Sequence, residues 1–377
     1  MKVNILGSGI TKFGEHWDMS LLDLALEAGN EALQNSMLKP DEIDAVIVGN
    51  MLYGKVAGQD HLGALIAGSM GIKSSSSRVE AACASGGIAI HQAVQGILSG
   101  LYENVLVIGV EKMTDLSTSD VSTALMGAAS EEERRAGLTF PGLYALIAKA
   151  HMKKYGTTRE QLASVAVKNH FHASLNPKAQ YPFEISIDKV LASSMISDPL
   201  TLFDSSPITD GAAAVVLSGS KNSKVFISAS AVASDSVGLA ERDNLVEISA
   251  TKRASEKAFK QAGLSQKDIN LLEVHDCFTI AEILAMEDLG FCKKGDGGKF
   301  IESGITKLGN TLPVNTSGGL KGCGHPVGAT GVKQIIEVYE QLKGITKDRQ
   351  VHDAKIGLTQ NVGGTSATVA VHILQNE

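Results

Sequence analysis

The feature that most constrains the fold is an alternation of short β-branched runs with helical patterns. In the first half, strand-like runs occur at Val3–Leu6, Ala45–Val48 and Val105–Val110, with helical patterns between them. Such βαβ alternation predicts a largely parallel sheet with helices packed on it. The chain has 377 residues, enough for two or three domain-sized units, so we expect an α/β protein with a sizeable core.

The second half of the chain repeats this order. Helical patterns at Thr251–Gln261 and Val332–Leu342 alternate with strand-like runs such as Leu271–Val274. Both halves place a turn of small residues before a helix, and this turn carries Cys83 in the first half and His325 in the second. A duplicated fold has this kind of weak internal repeat. We therefore expect the two turns to meet near a pseudo-two-fold axis, in one pocket.

The alternation stops between about residues 111 and 200. Charged stretches such as Glu131–Arg135 interrupt it, and the helices predicted there are not separated by strands. The charged run is interpreted as a solvated helix face. The simplest interpretation of the whole segment is an inserted excursion that covers a site. We predict an N-terminal half at 1–222, which includes this loop domain, and a C-terminal half at 223–377.

Composition excludes several classes of protein. The formal net charge of −7 argues against a general nucleic-acid binder. No apolar stretch approaches the length of a membrane span, and the start of the chain lacks the pattern of a secretory signal peptide. The four cysteines have no regular disulfide framework. We expect a cytoplasmic, reduced protein whose cysteines are free to take part in chemistry.

Cys83 lies in the small-residue segment Ala81–Gly87, directly before a helical pattern. A cysteine at a helix N-terminus faces unpaired backbone N–H groups and the positive end of the helix dipole, and both favour the thiolate. The small neighbours leave room for a substrate. Taken alone, such a cysteine is more often a small buried hydrophobe. Its interpretation as a nucleophile depends on the other motifs.

A second motif, Gly318–Gly331, is rich in glycine and presents His325 at the start of another helix, with Pro326 suited to the first turn. The helix dipole there lowers the pKa of the histidine and keeps it neutral, so that it can donate a hydrogen bond to an oxyanion. A phosphate-binding loop is the alternative. It fails because no Lys-Ser/Thr pair follows the glycines and no strand precedes them.

A third motif, His275-Asp276-Cys277-Phe278, lies where a strand leads into a helix, a common position for reactive groups in α/β proteins. On an extended backbone His275 and Cys277 point to the same face, and Asp276 points away. The pairs His275/Cys277 and Cys323/His325 nominally form a Cys2His2 zinc set. Their one-residue spacing is shorter than that of usual zinc ligands, and a zinc site would leave Cys83 without a role. We therefore predict no metal.

Together the three motifs resemble the thiolase superfamily, and within it the branch of the sterol-carrier-protein-type and archaeal acetoacetyl-CoA thiolases. The resemblance runs over nearly the whole chain, and Thr209–Val215 resembles the DGAAA segment of the family. It implies a five-layered α-β-α-β-α fold built from two similar halves. The excursion at about 111–200 would then be the loop domain that lies over the pantetheine arm of coenzyme A.

The resemblance also implies the reaction and its residues. Cys83 would accept an acyl group from an acyl-CoA as a thioester, and the carbanion of a second acetyl-CoA would attack it to give acetoacetyl-CoA and CoA; thiolysis of a 3-ketoacyl-CoA is the reverse. His325 would support activation of the nucleophile and donate to the enolate oxygen. The N–H groups of Cys83 and Gly363 would form a second oxyanion site, and Ser206 would contact pantetheine. No cofactor is implied beyond these CoA thioester substrates.

The chain departs from the common thiolase pattern near its C-terminus. Many thiolases carry a C-x-G motif there, whose cysteine is the acid/base, but this chain has Asn361-Val362-Gly363. In the branch with an HDCF motif, the cysteine of that motif takes over. The resemblance thus implies that Cys277 is the general acid/base that removes the α-proton. His275 occupies the place of an asparagine that orients an oxyanion-hole water in other members.

Two alternative functions stay open from the sequence. A decarboxylating ketoacyl synthase could use Cys83, His275 and His325, but decarboxylation needs no α-proton base, so Cys277 argues against it. A thiolase-like channelling subunit that needs partner proteins is the other. The family implies a homodimer or homotetramer. The archaeal relatives imply a complex with 3-hydroxy-3-methylglutaryl-CoA synthase and a small OB-fold, zinc-ribbon protein, and a place in the mevalonate pathway of lipid metabolism.

Overall fold

A mixed sheet of nine strands forms the centre of the computed structural model, which describes residues 2–377. The first half of the chain contributes β1 (Val3–Ile10), β2 (Ala45–Gly49), β3 (Ser75–Val79), β4 (Asn104–Glu111) and β7 (Gly211–Ser218). The second half contributes β8 (Val225–Ser234), β9 (Leu271–Glu273), β10 (Ile356–Gly363) and β11 (Thr368–Asn376). The order is β3-β2-β4-β7-β1-β8-β11-β10-β9, so the two halves meet where β1 pairs with β8.

Strand directions in this sheet are mixed. β2 is parallel to β3 and β4, and β9 is parallel to β10. The pairs β4–β7, β1–β7, β8–β11 and β10–β11 are antiparallel. A short turn at residues 364–367 joins β10 to β11, and such a turn permits only antiparallel pairing because parallel strands need a crossover of a dozen or more residues. The prediction of a largely parallel sheet is therefore wrong outside β2–β4 and β9–β10.

Helices precede and follow most strands. They are α1 (Leu21–Ser36), α2 (Tyr53–Val56), α3 (Leu62–Ser69), α4 (Ser85–Leu98), α5 (Thr118–Leu125), α6 (Glu131–Arg135), α7 (Phe140–Tyr155), α8 (Arg159–Ser174), α9 (Ile187–Leu191), α10 (Ser249–Ala262), α11 (Thr279–Asp288), α12 (Gly297–Glu302), α13 (Gly319–Cys323) and α14 (Thr330–Lys343). In the part of the chain that the structure describes, no helix combines the length and apolar character needed to cross a membrane.

The side chains of β4 show how the layers form. Successive side chains of a strand point to opposite faces, so Val105 and Val107 lie in one core and Leu106 and Ile108 in another. The first core also holds residues of α4 and α14, and the second holds residues of α1 and α3. A third core packs α10 and α11 on the far face of the second half of the sheet. The resulting order is the five-layered α-β-α-β-α arrangement that the resemblance implies.

The excursion occupies the chain between β4 and β7. It contains α5 to α9 and a small sheet of β5 (Met195–Ser197) and β6 (Leu200–Thr201). Leu143 and Tyr144 of α7 pack in the same core as Val274 and Ile280 of the second half. The excursion therefore covers the end of the sheet at which the third sequence motif lies. The predicted boundary at residues 222 and 223 falls between β7 and β8.

Glycines allow α4 and α14 to touch backbone to backbone. A Cβ atom on Gly86 would lie 2.8 Å from the carbonyl oxygen of Gly328, which is closer than real Cβ atoms approach. A Cβ atom on Gly331 would collide with the backbone nitrogen of Gly87. On β4, a Cβ atom on Gly109 would lie 2.5 Å from the same Gly328 oxygen. The close approach of the two central helices therefore depends on the absence of side chains at these positions.

This contact predicts opposite outcomes for two glycine-to-alanine substitutions in helices. We expect Gly331→Ala to destabilise the fold by about 1–3 kcal/mol, because the added methyl group forces the central helices apart. Gly68 lies near the end of α3 with open space around it, so Gly68→Ala should stabilise by up to about 1 kcal/mol through helix propensity. Urea unfolding midpoints measure both. Equal effects of the two substitutions would contradict the contact.

Candidate active site

Cys83 occupies a sharp turn between β3 and α4. The residue before it, Ala82, has a left-handed φ of 51°, which is uncommon for a residue other than glycine. Hydrogen bonds hold the turn: the Ala82 N–H donates to Glu80 Oε1 (2.7 Å), the Ala81 N–H donates to Ser85 Oγ (2.9 Å), and that hydroxyl donates to the Ala82 carbonyl (2.6 Å). This strained turn places the partly exposed Cys83 side chain at the wall of a cavity.

His325 lies in the matching turn of the second half, and α14 begins only at Thr330, so the prediction that His325 stands at the helix start with Pro326 in its first turn is wrong. Its Nδ1 lies 2.7 Å from Thr330 Oγ1, and that hydroxyl donates its only hydrogen to the Pro326 carbonyl at 3.1 Å. We assign the proton of the neutral ring to Nδ1, as donor to this hydroxyl, which leaves a lone pair on Nε2. Burial, with smaller effects of Lys333 and Lys321, lowers the pKa of His325 to about 3. The ring is neutral and can act as a base.

His275 follows β9 and packs against His325. The two ring centroids are 5.1 Å apart and the rings are nearly perpendicular. The backbone N–H of His275 donates to Gln360 Oε1 (3.0 Å), and its Nδ1 lies 3.3 Å from Asn361 Nδ2. Burial, and then the neighbouring His325, hold the pKa of His275 well below its usual value. This ring is also neutral in the folded protein.

The structure brings Cys83, His275 and His325 into one cluster. One ligand-capable atom of each residue lies within 4.8 Å of the others. The four residues of the zinc alternative do not form such a group. Cys323 instead lies 3.7 Å from Asn176 Nδ2 and lines a different cavity.

Asp276, between the two motif residues, has a structural role. Its carboxylate accepts hydrogen bonds from the Leu320 N–H and from Asn169 Nδ2, both at 2.7 Å. It thereby ties the third motif to the start of α13. As expected from strand geometry, it points away from the cavity that Cys277 lines.

Cys277 is a second thiol in the cavity wall, beside an aromatic pair. Tyr144 of the excursion stacks on Phe278 with centroids 4.6 Å apart, and its hydroxyl donates to the Gly364 carbonyl at 3.0 Å. Burial raises the pKa of Cys277 to about 12, opposed by a hydrogen bond with Tyr144 and by the charge of Lys321. Cys277 is therefore a protonated thiol in the free protein.

The Cys83 thiol is also protonated, which differs from the expectation at a helix start. Burial raises the pKa of Cys83 above its usual value, and the nearby Cys277 adds to the effect. The N–H groups of Gly364 and of Cys83 itself act in the opposite direction but do not overcome burial. Cys83 therefore needs a base to become a nucleophile, and the lone pair of His325 is one.

Ser206 and Gly363, the two remaining predicted site residues, differ in their position relative to the cavity. Ser206 lines the cavity, and its backbone N–H donates to the Cys277 carbonyl at 2.9 Å. Gly363 does not line it; a Cβ atom there would collide with the Ala81 carbonyl, so this glycine lets β10 pack against the nucleophile turn. The next glycine, Gly364, lines the cavity and directs its N–H to the Cys83 sulfur.

The cavity has a volume of about 220 Å³ and is mainly apolar. The excursion supplies much of one wall, by Thr118, Ser122, Leu125, Phe140, Pro141 and Tyr144. Sequence reasoning did not identify Tyr144, Thr330 or Asn361 as site residues. Thr330 follows His325 within the glycine-rich motif and Asn361 stands in the C-terminal motif, so both had a positional signal. Tyr144 had none, because it lies in an ordinary helical pattern.

Comparison with known proteins agrees with this geometry. The family model described as "Thiolase, N-terminal domain" matches residues 3–221, and "Thiolase C-terminal domain-like" matches residues 231–376. An acetyl-CoA acetyltransferase of Methanothermobacter thermautotrophicus is 48% identical over 98% of both chains. Human sterol carrier protein 2 is 34% identical over 98% of this chain and 71% of its own length.

Solved structures share the architecture. The structure named "Ltp2-ChsH2(DUF35) aldolase" superimposes with a TM-score of 0.86 at 25% identity, over 100% of this chain and 98% of the other. The resemblance drawn from the three motifs is thus confirmed at the level of family and fold. The chain belongs to the thiolase family.

Proposed function

We propose that this protein is an acetyl-CoA C-acetyltransferase that condenses two molecules of acetyl-CoA to acetoacetyl-CoA and CoA, and that also catalyses the reverse thiolysis. The observation that carries the proposal is the meeting of two protonated thiols, Cys83 and Cys277, with the neutral imidazole of His325 at one cavity. The name and the 48% identity of the Methanothermobacter relative support the choice of substrate.

In the first half-reaction Cys83 is acetylated. His325 Nε2 takes the thiol proton, and the sulfur attacks the carbonyl carbon of acetyl-CoA. The N–H groups of Cys83 and Gly364, which lie beside the sulfur, stabilise the oxyanion of the tetrahedral intermediate. Cys277 gives its proton to the departing sulfur of CoA. The products are a thioester on Cys83, a protonated His325 and a Cys277 thiolate.

In the second half-reaction the Cys277 thiolate takes an α-proton from another acetyl-CoA. The enolate oxygen accepts hydrogen bonds from the protonated His325 and from His275. The enolate carbon then attacks the thioester, and the Cys83 sulfur leaves and recovers its proton from His325. All three groups thereby return to their starting states, which balances the condensation.

The alternatives explain fewer of these groups. A decarboxylating ketoacyl synthase would leave Cys277 in the cavity without a task. A channelling subunit inactive by itself would not need a complete set of base, nucleophile and second thiol. We therefore retain channelling only as an addition to catalysis.

The assembly is part of the proposal. β3 is an edge strand of the sheet, so one of its sides has no neighbouring strand. This short polar strand can pair there with β3 of a second protomer in a homodimer. The similar structure named "Ltp2-ChsH2(DUF35) aldolase" supports a partner of the DUF35 type, and the OB-fold, zinc-ribbon partner stays a prediction. The complex with 3-hydroxy-3-methylglutaryl-CoA synthase, the homotetramer, the mevalonate pathway and the cytoplasmic location stay predictions.

Intact-mass spectrometry after incubation with acetyl-CoA alone tests the nucleophile. We expect the wild-type chain to gain one acetyl group and to release acetoacetyl-CoA, and Cys83→Ser to do neither. The matched control is Cys292→Ser, because Cys292 lies beyond α11 and outside the cavity wall. An acetyl group that persists in Cys83→Ser would move the nucleophile elsewhere.

Exchange of the α-protons of acetyl-CoA with deuterated water tests the acid/base. Cys277→Ala should still be acetylated at Cys83, because His325 activates that thiol, but more slowly, because the departing CoA sulfur loses its proton donor. It should lose about two to four orders of magnitude in α-proton exchange, since no other base is placed to replace it. Cys323→Ala removes another buried thiol and should leave exchange unchanged. Retained exchange in Cys277→Ala would assign the base to a different residue.

A further inference from the structure

The side chain of Asn361, near the end of β10, connects the two catalytic turns. Its Oδ1 accepts a hydrogen bond from the Gly87 N–H (3.0 Å) in the first turn of α4. Its Nδ2 donates to the Cys83 carbonyl (3.0 Å) and to His275 Nδ1 (3.3 Å). One amide thus contacts the helix, the nucleophile residue and the neighbouring imidazole.

The two backbone partners fix the orientation of this amide. A backbone N–H can only donate, so it faces the oxygen, and a backbone carbonyl can only accept, so it faces the nitrogen. In a flipped amide, the NH2 group would face the Gly87 N–H, donor against donor, and the oxygen would face the Cys83 carbonyl, acceptor against acceptor. The atom that faces His275 is therefore the Nδ2 group of Asn361, which is a donor.

The tautomer of His275 follows from this orientation. Its Nδ1 faces a donor and must present a lone pair, so the single proton of the neutral ring lies on Nε2. His325 has the reverse assignment, with its proton on Nδ1 and its lone pair on Nε2. The two neighbouring imidazoles are thus prepared for different tasks: one accepts a proton and the other donates a hydrogen bond.

We propose that Asn361 is a positioning residue that holds His275 in the Nε2–H tautomer and thereby makes it a hydrogen-bond donor to the enolate oxygen. The proposal rests on the proposed thiolase reaction. Without the Asn361 donor, nothing among the contacts of His275 in residues 2–377 fixes which ring nitrogen carries the proton. The same amide tethers the Cys83 carbonyl, so the donor and the nucleophile keep a constant separation.

The groups around His275 define how a charge at position 361 would act. The ring faces His325 and lies within 4.8 Å of the ligand-capable atoms in the Cys83 cluster. The nearby positive charge is Lys333, whose Nζ is paired with Glu273 at 3.0 Å. A carboxylate at position 361 would accept from Nδ1–H and favour the charged imidazolium.

The test is Asn361→Asp, which keeps the shape and the acceptor for the Gly87 N–H. At neutral pH we expect condensation to fall by about two to three orders of magnitude, as for loss of one oxyanion donor, while Cys83 is still acetylated. As the pH is lowered, the ratio of variant to wild-type activity should rise, because the imidazolium carries protons on both nitrogens. A merely structural role, acting through the lost contact with the Cys83 carbonyl, would lower the acetylation of Cys83 together with condensation, so acetylation is measured at each pH.

Gln360→Glu is the matched control. It adds the same charge on the neighbouring residue, but Gln360 contacts the backbone N–H of His275 and not its ring. We expect the pH profile of this variant to follow that of the wild type. A ratio for Asn361→Asp that does not change with pH, or a Gln360→Glu profile shifted in the same way, would overturn the proposal.

Nitrogen NMR of the histidine-labelled wild-type protein tests the tautomer without any change at position 361. His275→Gln identifies the signals of His275. The expected spectrum shows a protonated Nε2 and an unprotonated Nδ1, and the reverse pattern would refute the assignment. If the wild type forms no acetoacetyl-CoA, the proposed function fails, whereas the NMR result still decides the tautomer.

Discussion

The contact between α4 and α14 determines the geometry on which the site depends. Each helix begins directly after one catalytic turn, so the distance between the helices sets the distance between Cys83 and His325. Gly86 and Gly331 reduce that distance to backbone contact, since a Cβ atom on either would meet main-chain atoms of the other helix or its turn. The internal repeat of the sequence has its physical meaning here: two similar halves place their turns on either side of one contact.

Burial then determines the chemical state of the groups that meet. It raises the pKa of Cys83 and Cys277 and lowers the pKa of His275 and His325, so that all four groups are uncharged at rest. Hydrogen bonds decide what each neutral group does. Thr330 leaves His325 with a lone pair, and the amide of Asn361 leaves His275 with an available proton. The hydrogen bond that each ring makes at Nδ1 thus decides which histidine acts as a base and which acts as a donor at Nε2.

The sequence was sufficient for the elements that depend on local pattern. The strand-like runs at Val3–Leu6 and Val105–Val110 lie within β1 and β4, and the helical pattern after Cys83 is α4. The repeat also indicated that the two turns would come together. The direction of the later strands was not predicted, because the turn at residues 364–367 makes β10 and β11 a hairpin that the alternation rule does not describe.

The sequence motifs did not predict the properties of the site that depend on tertiary packing. The thiolate expected from the helix start is absent because the Cys83 sulfur, although partly exposed, faces a mainly apolar cavity rather than bulk water, and this environment depends on tertiary packing. The N–H beside that sulfur belongs to Gly364, one residue after the predicted Gly363. Successive residues of an extended chain point in opposite directions, so an error of one residue selects an N–H that points away from the sulfur. Tyr144 enters the site from a helix far away in the sequence.

The resting state of the nucleophile is the point on which these arguments converge. The ultraviolet absorption band of a thiolate can be measured as the difference between the wild-type protein and Cys83→Ser in the absence of substrate. We expect no thiolate band at neutral pH and its appearance only on titration into the alkaline range. A full thiolate band at neutral pH would mean that Cys83 and His325 form an ion pair, and would contradict an active site of neutral groups.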